Sequence, residues 1–184
     1  MITHKGTQPI KTERLLLRKI MPDDAEMVYK WMSDFEVVKF EDWDVHENLD
    51  FTRGFISYLT GDYKSDELYC WGIQLNGELI GNIIGGCGLG YYIRRDSWSK
   101  GYATEAVKAV LRYMFAEIGI ERIETRHSIK NPASGKVLKK AGLIFERHEE
   151  KAFYCHDTWH DCDFYAITKE QYLFPNLNIS YDKE

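Results

Sequence analysis

The sequence predicts an α/β (α+β) domain in which a sheet is flanked by amphipathic helices. Asn76-Gly77 separates two strand-like runs, and this pair favours a tight hairpin because both positions accept positive φ. Residues 103–118 carry apolar side chains at the spacing of a helix packed on a sheet. The turn at 98–101 joins a strand-like run, 89–94, to that helix. A strand–turn–helix unit exposes unpaired N–H groups at a positive helix end, so this turn predicts an anion site.

The first half of the chain alternates strand and helix patterns. A proline followed by acids at Pro22 is typical of a helix N-terminus. Residues 35–47 are aromatic and acidic but too irregular for an assignment. Glycines crowd residues 81–90 in no G-x-G-x-x-G frame, which favours a tight turn at 85–88 over a nucleotide loop. The predicted elements are a strand at 12–20, a helix beginning at Pro22, a helix at 49–59, and strands at 69–75, 78–85 and 89–94.

The second half continues the alternation and closes with two strands. Gly119 is a natural stop for the helix at 103–118. Asn131-Pro132 has the cap and first-turn residues of another helix, which Gly142 ends. Strands follow at 120–129, 143–154 and 159–167, with a turn near Asp157-Thr158. We expect one domain over residues 1–184, with a core at about 12–172 and a short polar tail at 175–184.

Composition and charge exclude several classes of protein. The 184 residues are 44% hydrophobic, enough to bury a core, and carry a net charge of −5. That charge argues against a nucleic-acid partner held by a basic face, so an anionic ligand needs local groups. No apolar run approaches the roughly 18 residues of a membrane span. Residues 1–9 lack the apolar segment of a signal peptide, which predicts a cytoplasmic protein with no membrane partner.

The four cysteines show no disulfide framework spacing. Two interpretations of the segment that holds Cys155, His156, His160 and Cys162 remain open. The four side chains could ligate a metal as two cysteines and two histidines. They could instead lie on different faces of a β-hairpin. Their spacing matches no zinc pattern, so the sequence favours the hairpin and predicts no metal.

An ordered set of motifs carries a family resemblance over about residues 12–172. They are Thr-Glu-Arg-Leu-Leu-Leu-Arg at 12–18, Gly-Tyr-Tyr-Ile at 90–93, residues 98–106, Asn-Pro-Ala-Ser at 131–134, Lys-Ala-Gly-Leu at 140–143, and Trp159-His160-Asp161 with Tyr165. With these motifs the chain resembles the GNAT acetyltransferase superfamily, in the branch of ribosomal-protein N-terminal (RimJ/RimL-type) acetyltransferases. The resemblance implies a central mixed, mostly antiparallel twisted sheet with a splayed parallel strand pair that forms an acyl-CoA cleft. It implies acetyl-CoA as cosubstrate and leaves open whether the chain forms a homodimer.

The resemblance also assigns cofactor-binding residues. The family binds the pyrophosphate through backbone N–H groups of an R/Q-x-x-G-x-G/A turn, which here covers 96–101. Asp96 replaces the usual Arg or Gln and is mildly unfavourable beside a pyrophosphate unless it points away. Ser99 replaces a glycine, so its backbone geometry should suit a Cβ. The pantetheine should lie beside the strand that ends at Ile93-Arg94. The implied residues are Ile93, Arg94, Ser99, Lys100, Gly101, Tyr102, Ala103, Thr104, Asn131 and Ser134.

The implied chemistry is direct attack of an amine on the thioester. Ser134 matches a serine proposed to act as acid toward the thiolate, a modest task since thiols ionise near pKa ~8.5. It is equally a first-turn residue of a helix capped by Asn131. Backbone N–H at the end of strand 89–94 would polarise the carbonyl. The family's basic glutamate aligns with Phe153, which leaves Glu150, His148, His127 and Glu105 as alternative bases, directly or through water.

Three functions follow from this pattern. The branch resemblance favours an acceptor that is a protein or peptide N-terminus. A small-molecule amine, such as a polyamine, antibiotic or amino acid, is the second, with residues 35–47 closing a cation-attracting pocket where a peptide would need an open groove. A non-catalytic acyl-CoA-binding protein is the third, motivated by the missing glutamate and the altered turn. One fold hosts many substrates, so the acceptor stays open.

Overall fold

The computed structural model describes residues 2–175, so nearly all of the predicted tail at 175–184 lies outside the described residues. The strands are β1 (Ile10–Lys11), β2 (Leu16–Arg18), β3 (Cys70–Leu75), β4 (Glu78–Ile84), β5 (Gly90–Ile93), β6 (Arg122–Ser128), β7 (Ile144–Cys155) and β8 (Thr158–Thr168). The helices are α1 (Ala25–Met32), α2 (Phe35–Val38), α3 (Leu49–Asp62), α4 (Tyr102–Tyr113), α5 (Pro132–Ala141) and α6 (Lys169–Leu173). Among residues 2–175, no helix combines the length and apolarity needed to cross a bilayer.

Two antiparallel sheets meet at one short parallel junction. The first has the order β1-β2-β3-β4-β5 and the second the order β6-β8-β7. Gly88 and Glu124 form a parallel bridge between them. There the Glu124 N–H donates to the Cys87 carbonyl at 3.0 Å, and Thr125 Oγ1 donates to the Leu89 carbonyl at 2.7 Å. Past this point β5 and β6 pair only with β4 and β8 among the described strands. The predicted mixed, mostly antiparallel sheet with a splayed parallel strand pair is confirmed.

Hydrophobic layers cover both faces of the sheet. Because side chains alternate along a strand, Ile93 of β5 joins the layer formed with α4 and α5, and its neighbour Tyr92 joins the layer formed with α1 and α3. Trp71 is fully buried in the first layer and Trp31 in the second. Each face of β5 therefore presents its own set of side chains to whatever lies between β5 and β6.

Local sequence signals place several element ends. Asn76 and Gly77 have φ of 49° and 91°, the two positive values of the predicted hairpin turn. The Asn131 side chain accepts a hydrogen bond from the Ser134 N–H at 3.2 Å and caps α5 as predicted. Gly142 ends α5 in the left-handed conformation. These ends are governed by contacts within a few residues, which explains why the sequence alone predicted them.

One predicted element was wrong in its extent, and a second has the predicted extent, with its stop at Gly119, but changes its helical type. The strand expected at 12–20 is two strands, because the Thr12 N–H donates to the Leu15 carbonyl at 2.9 Å and turns the chain between β1 and β2. The helix expected to run to residue 118 changes at Tyr113 into a π-helical turn, Met114–Ile118. There the N–H groups of Gly119 and Ile120 both donate to the Met114 carbonyl.

The β7–β8 hairpin contains the cysteine–histidine segment. Its turn residues are His156 and Asp157, with φ of 46° and 56°, one position before the predicted turn. His160 and Cys162 are buried two residues apart on one face of β8. Within residues 2–175, no group of three or more His, Cys, Asp or Glu side chains is placed to hold a metal ion.

A Gly81→Ala substitution tests the close approach of β4 and β5. A Cβ at Gly81 would overlap the carbonyl of Tyr92, so we expect the free energy of unfolding to fall by about 2 kcal/mol. The matched control is Gly54→Ala on the exposed side of α3, where a Cβ meets nothing within 4 Å. We expect the control to raise stability by about 0.5–1 kcal/mol. Urea unfolding measures both, and equal effects would contradict the packing argument.

Candidate active site

A cleft of about 790 Å³ opens where β5 and β6 diverge. Hydrogen bonding alternates along an antiparallel pair, and the Arg94 N–H donates to the Ile80 carbonyl of β4 at 2.7 Å. The N–H groups of Tyr91 and Ile93 consequently point to the opposite edge of β5, into the cleft. Arg94, which sequence analysis placed at the cofactor, does not line the cleft. Its backbone belongs to the β4 ladder and its guanidinium contacts Glu78, so that assignment is not supported by the geometry.

The turn before α4 forms one end of the cleft. A short 3₁₀ turn, Arg95–Ser97, precedes Ser99, and Gly101 caps α4 with φ of 84°. Ser99 has φ of 61°, so the expectation that its backbone would suit a Cβ was wrong. This left-handed conformation costs a serine roughly 1 kcal/mol. Ser99 and Gly101 line the cleft together with three residues of the first turn of α4, namely Tyr102, Ala103 and Thr104.

Two charged residues of this turn face away from the cleft. Asp96 accepts hydrogen bonds from Arg94 Nε at 2.8 Å and from Ser97 Oγ at 2.9 Å. The bond from Arg94 is the main reason that the pKa of the Asp96 carboxyl is lowered. Asp96 does not line the cleft, so its carboxylate points away from the turn's N–H groups that face the cleft. The Lys100 side chain also lies outside the cleft, although sequence analysis assigned it to the cofactor.

A carboxylate on α4 braces the turn against the start of β2. Glu105 accepts hydrogen bonds from Thr12 Oγ1 at 2.6 Å, from the Arg14 N–H at 2.9 Å and from Arg14 Nε at 2.7 Å. Arg14 also donates to the Lys100 carbonyl at 3.0 Å. Partial burial raises the pKa of Glu105, but these hydrogen bonds outweigh it and lower the pKa. Glu105 lies outside the cleft, so it is not a candidate base.

The brace was missed by sequence analysis. Arg14 and Glu105 are 91 residues apart, and no short-range rule links them. The only available signal was the position of each residue inside a resemblance motif, at 12–18 and 98–106. A contact between two such motifs is decided by how β2 packs beside α4.

The first turn of α5 forms a second wall of the cleft. Asn131 and Ser134, which the resemblance assigned to the cofactor, both line it. Tyr91 Oη donates to the Ser134 carbonyl at 3.0 Å and lies 2.9 Å from Ser134 Oγ. A phenol has one proton, so the Ser134 hydroxyl donates to Tyr91 Oη in this arrangement. Burial raises the pKa of Tyr91, which keeps its proton in place. Tyr91 is a site residue that sequence analysis did not select.

Of the four candidate bases from the sequence, His127 is the one that lines the cleft. Its Nδ1 lies 2.7 Å from the Ser128 carbonyl, which can only accept, so Nδ1 carries a proton. Nε2 has no hydrogen-bond partner among the described residues. Gly135 makes room for the ring, since a Cβ there would lie 2.5 Å from Nε2. His148 is instead paired with Asp163 at 2.8 Å on the exposed side of β7.

The pairing of His148 raises its pKa, chiefly through the hydrogen bond to the Asp163 carboxylate. Glu150 is exposed on the same strand. Neither residue lines the cleft. The strand β7 therefore presents both of these candidate bases to solvent, and neither has the position that a base needs.

The face of β5 opposite α5 presents a different carboxylate, Glu41. It follows α2, lines the cleft and accepts a hydrogen bond from Tyr92 Oη at 3.3 Å. Burial is the main cause that raises the pKa of Glu41 to about 7. Phe153, at the position aligned with the family's glutamate, packs its ring 4.6 Å from the Arg126 guanidinium carbon. Glu41 was missed because residues 35–47 had no periodic pattern.

The segment that carries Glu41 packs against the β7–β8 hairpin. Phe40 packs edge-on against His160 with ring centroids 6.0 Å apart, and Phe35 does so against His156 at 5.3 Å. Cys155 Sγ lies 4.0 Å from the Lys39 carbonyl. These contacts cover one side of the cleft at the Glu41 face.

Charge is distributed unevenly along the cleft. Lysines 130, 136 and 140 line it from the α5 side, and Glu41 lies on the opposite face. The N-terminus of α4 adds positive potential near Gly101. In a chain of net charge −5, these local groups supply what an anionic ligand needs.

A helix N-terminus that faces a cleft between splayed strands, beside a hydroxyl pair and a half-buried carboxylate, defines the site of an acyltransferase. The chain matches the model of the acetyltransferase (GNAT) domain over residues 14–144, and it belongs to that family. An uncharacterized N-acetyltransferase of Bacillus subtilis, YnaD, is 31% identical over 172 residues, covering 89% of this chain and 98% of that protein. The crystal structure of a GNAT-family acetyltransferase from Bacillus anthracis is 30% identical, with a TM-score of 0.78 and coverage of 89% and 99%.

Two more distant matches are named for different roles. The [ribosomal protein uS5]-alanine N-acetyltransferase of Escherichia coli is 24% identical over 174 residues, covering 86% of this chain and 90% of that enzyme. The microcin C7 self-immunity acetyltransferase MccE, crystallised with acetyl-CoA and AMP, is 18% identical with a TM-score of 0.75 and coverage of 85% and 93%. The second likeness shows the fold alone. The family is thus established, and the acceptor is not determined by it.

A Glu105→Gln substitution tests the brace. Because hydrogen bonds hold the pKa of Glu105 below its ordinary 4.5, its stabilising charge is present above that value and is lost as pH falls through the lower folded-state pKa. We expect the variant to be about 1 kcal/mol less stable than the wild type at pH 7, with the gap closing toward pH 3. Urea unfolding at both pH values measures this. Glu117→Gln, which removes an exposed partner of Lys5, should change nothing measurable.

Proposed function

We propose that this chain transfers the acetyl group of acetyl-CoA to a primary amine by direct attack in the cleft between β5 and β6. One observation carries the proposal. The cleft has anion-binding backbone groups at the α4 end, free strand-edge N–H groups along β5, and a carboxylate on the opposite face of the same strand. This order of groups matches the order of a phosphate, an amide-containing arm and an amine.

The residues that fit the acyl donor are those that line the α4 and α5 walls. The first-turn N–H groups of α4, from Tyr102 to Thr104, have no intrahelical partner and suit a pyrophosphate. Ser99 and Gly101 shape the turn that leads into them. The edge of β5 at Tyr91 and Ile93 suits the amides of the pantetheine arm, since it can pair like an added strand. Asn131 lies at the wall beside that arm.

Two groups would support the chemical step. The N–H of Ile93 or of Tyr91 faces the cleft and would polarise the thioester carbonyl. The Ser134 hydroxyl, which lies 2.9 Å from Tyr91 Oη, would rotate its one proton from Tyr91 to the departing sulfur and donate a hydrogen bond there. The amine nitrogen forms a bond to the acetyl carbon, the carbon–sulfur bond breaks, and the sulfur leaves with the electron pair. Thiolates are tolerable leaving groups, so one hydroxyl suffices there.

Two observations bear on the class of acceptor, and they favour different classes. One relative is named as an alanine N-acetyltransferase of ribosomal protein uS5, which favours a peptide amine such as an N-terminus as acceptor. The packing of Phe35 and Phe40 on the β7–β8 hairpin covers one side of the acceptor face, which favours a small primary amine. A peptide N-terminus and a small primary amine would each enter the cleft with the ammonium group first.

The experiment that tests this function follows free-thiol release from acetyl-CoA. The acceptor panel contains peptides with varied N-terminal residues, polyamines, aminoglycosides and amino acids. Release with one class supports the transferase and names its acceptor class. A folded protein that binds acetyl-CoA but releases no thiol across the panel would contradict the proposal and favour the acyl-CoA-binding alternative.

A Gly101→Asp substitution tests the pyrophosphate site. An aspartate at position 101 is strained because the backbone there is left-handed, and its carboxylate places a negative charge at the N-terminus of α4. We expect acetyl-CoA affinity to fall by at least 100-fold in a calorimetric titration while the circular dichroism spectrum is retained. Gly77→Asp is the matched control, since it adds the same charge at a hairpin glycine of φ 91° outside the cleft. Unchanged affinity in the Gly101 variant would contradict the assignment.

A Ser134→Ala substitution tests the hydroxyl. The cap of α5 uses the Ser134 backbone N–H, so the helix should keep its stability when the side chain changes. We expect kcat to fall about 10- to 100-fold with less than a threefold change in the Kd of acetyl-CoA. Stopped-assay kinetics and calorimetry separate the two effects. A variant with the wild-type kcat would show that Ser134 has no catalytic role and serves only in the first turn of α5.

A further inference from the structure

We propose that Glu41 binds the ammonium group of the acceptor and takes its proton, which makes it the catalytic base on the face of β5 opposite the acyl donor. This inference rests on the proposed function. It adds a residue outside the motifs that carry the family resemblance, and it limits the acceptor to cationic amines.

The alternation of side chains on β5 puts the two reactants on opposite faces. Tyr91 and Tyr92 are neighbours, so their rings leave the strand in opposite directions. Tyr91 reaches Ser134 on α5, and Tyr92 reaches Glu41 beyond α2. Because β5 and β6 do not pair here, the cleft is open to both faces of β5. Ser134 and Glu41 both line it. A group held at Glu41 can approach a thioester beside Ser134 without crossing a hydrogen-bonded sheet.

Glu41 differs from two nearby acids, Asp34 and Glu36, because no ion pair among the described residues neutralises it at close range. Glu36 is paired with Lys39 at 2.7 Å, and Asp34 is paired with Arg95 at 3.0 Å. Glu41 has only the neutral Tyr92 hydroxyl at hydrogen-bonding distance among the described residues. Its carboxylate is therefore free to take an incoming ammonium as its counter-ion.

The groups that face Glu41 come from four parts of the chain. Burial and the adjacent Asp42 raise the pKa of Glu41, the Tyr92 hydroxyl and Arg126 of β6 lower it, and the net result of all four is a pKa of about 7. From β7, Cys155 faces the same carboxylate and keeps its proton, since burial and the nearby acids raise its own pKa. A carboxylate near neutrality is well matched to accept a proton from an amine at physiological pH.

The surroundings suit an ammonium better than a neutral or anionic group. The rings of Phe40, Tyr92 and Phe153 line this part of the cleft with Glu41. Aromatic faces and one half-buried carboxylate attract a cation and exclude water. The ammonium transfers one proton to the Glu41 carboxylate, and the freed lone pair attacks the acetyl carbon. The carbon–sulfur bond then breaks and the sulfur leaves with the electron pair. The sulfur takes the second proton of the nitrogen, which gives the amide and the CoA thiol, and Glu41 releases its proton to solvent.

The test compares Glu41→Gln with the neighbouring Asp42→Asn, which removes the same charge from an exposed residue that does not line the cleft. The acceptor is the amine with the highest thiol-release rate in the panel. We expect Glu41→Gln to lower kcat at least 100-fold, leave the Kd of acetyl-CoA within threefold, and weaken binding of the amine to the CoA-loaded protein in calorimetry. Asp42→Asn should keep kcat within about twofold.

The pH profile distinguishes a base from a structural residue. Wild-type kcat/KM should rise with pH through about 7 as Glu41 of the free enzyme loses its proton, and Glu41→Gln should lack that limb. Tyr92→Phe removes a hydrogen bond that lowers the pKa of Glu41, so it should shift the limb to higher pH. Asp42→Asn removes a charge that raises this pKa and should shift the limb slightly lower. The Tyr92→Phe shift also serves as the decisive readout if Glu41→Gln fails to fold.

Each result decides between the two proposals. A Glu41→Gln protein with wild-type kcat and the wild-type pH limb would overturn the role of Glu41 and leave the transferase function intact. So would an unshifted limb in Tyr92→Phe. A wild-type protein that binds acetyl-CoA but neither binds nor acetylates any amine would overturn the proposed function, and the role of Glu41 with it.

Discussion

The short parallel junction between β5 and β6 is the constraint on which the rest of the structure depends. Glu124 and Thr125 reach the carbonyls of Cys87 and Leu89, and the ladder then stops. Two antiparallel sheets are thereby held at a fixed distance while their adjoining edges stay unpaired. Unpaired edge groups are costly when they are buried away from water, so this edge is maintained only where a ligand or solvent can satisfy it. The cleft is the consequence of ending the ladder early.

The end of β5 also sets the position of the proposed anion site. The chain leaves β5 after Ile93, passes through the 3₁₀ turn Arg95–Ser97 and begins α4 at Tyr102. Because this connection is short, the N-terminus of α4 must lie beside the edge of β5. Left-handed backbone at Ser99 and Gly101 is part of this turn, and strain at the serine is a local cost held in place by its surroundings. The Arg14–Glu105 brace supplies part of that support. Binding geometry here is therefore a property of three separate segments of the chain.

Opposite faces of one strand divide the chemistry of the site. Lysines and helix-end N–H groups make the α4–α5 face suitable for phosphates, while Glu41 and aromatic rings make the other face suitable for a cation. A negatively charged acyl donor and a positively charged acceptor would each contact a surface of opposite charge. The gap between β5 and β6 would bring the two together. This separation also explains how a chain of net charge −5 can serve an anionic cosubstrate.

The sequence by itself determined what local rules control. It determined the Asn76-Gly77 hairpin, the Asn131 cap, the glycine stop at Gly142 and the strand–turn–helix unit, because each depends on the conformational preference of a few adjacent residues. Tertiary structure alone decided which polar groups meet. It placed Glu105 against Arg14, outside the cleft, although the sequence had made it a candidate base. It left His148 and Glu150 exposed on β7. It also placed Glu41, from a segment with no periodic pattern, at the cleft. Such contacts join residues far apart in the chain, so their formation depends on how the sheets and helices pack and not on any pattern within one segment.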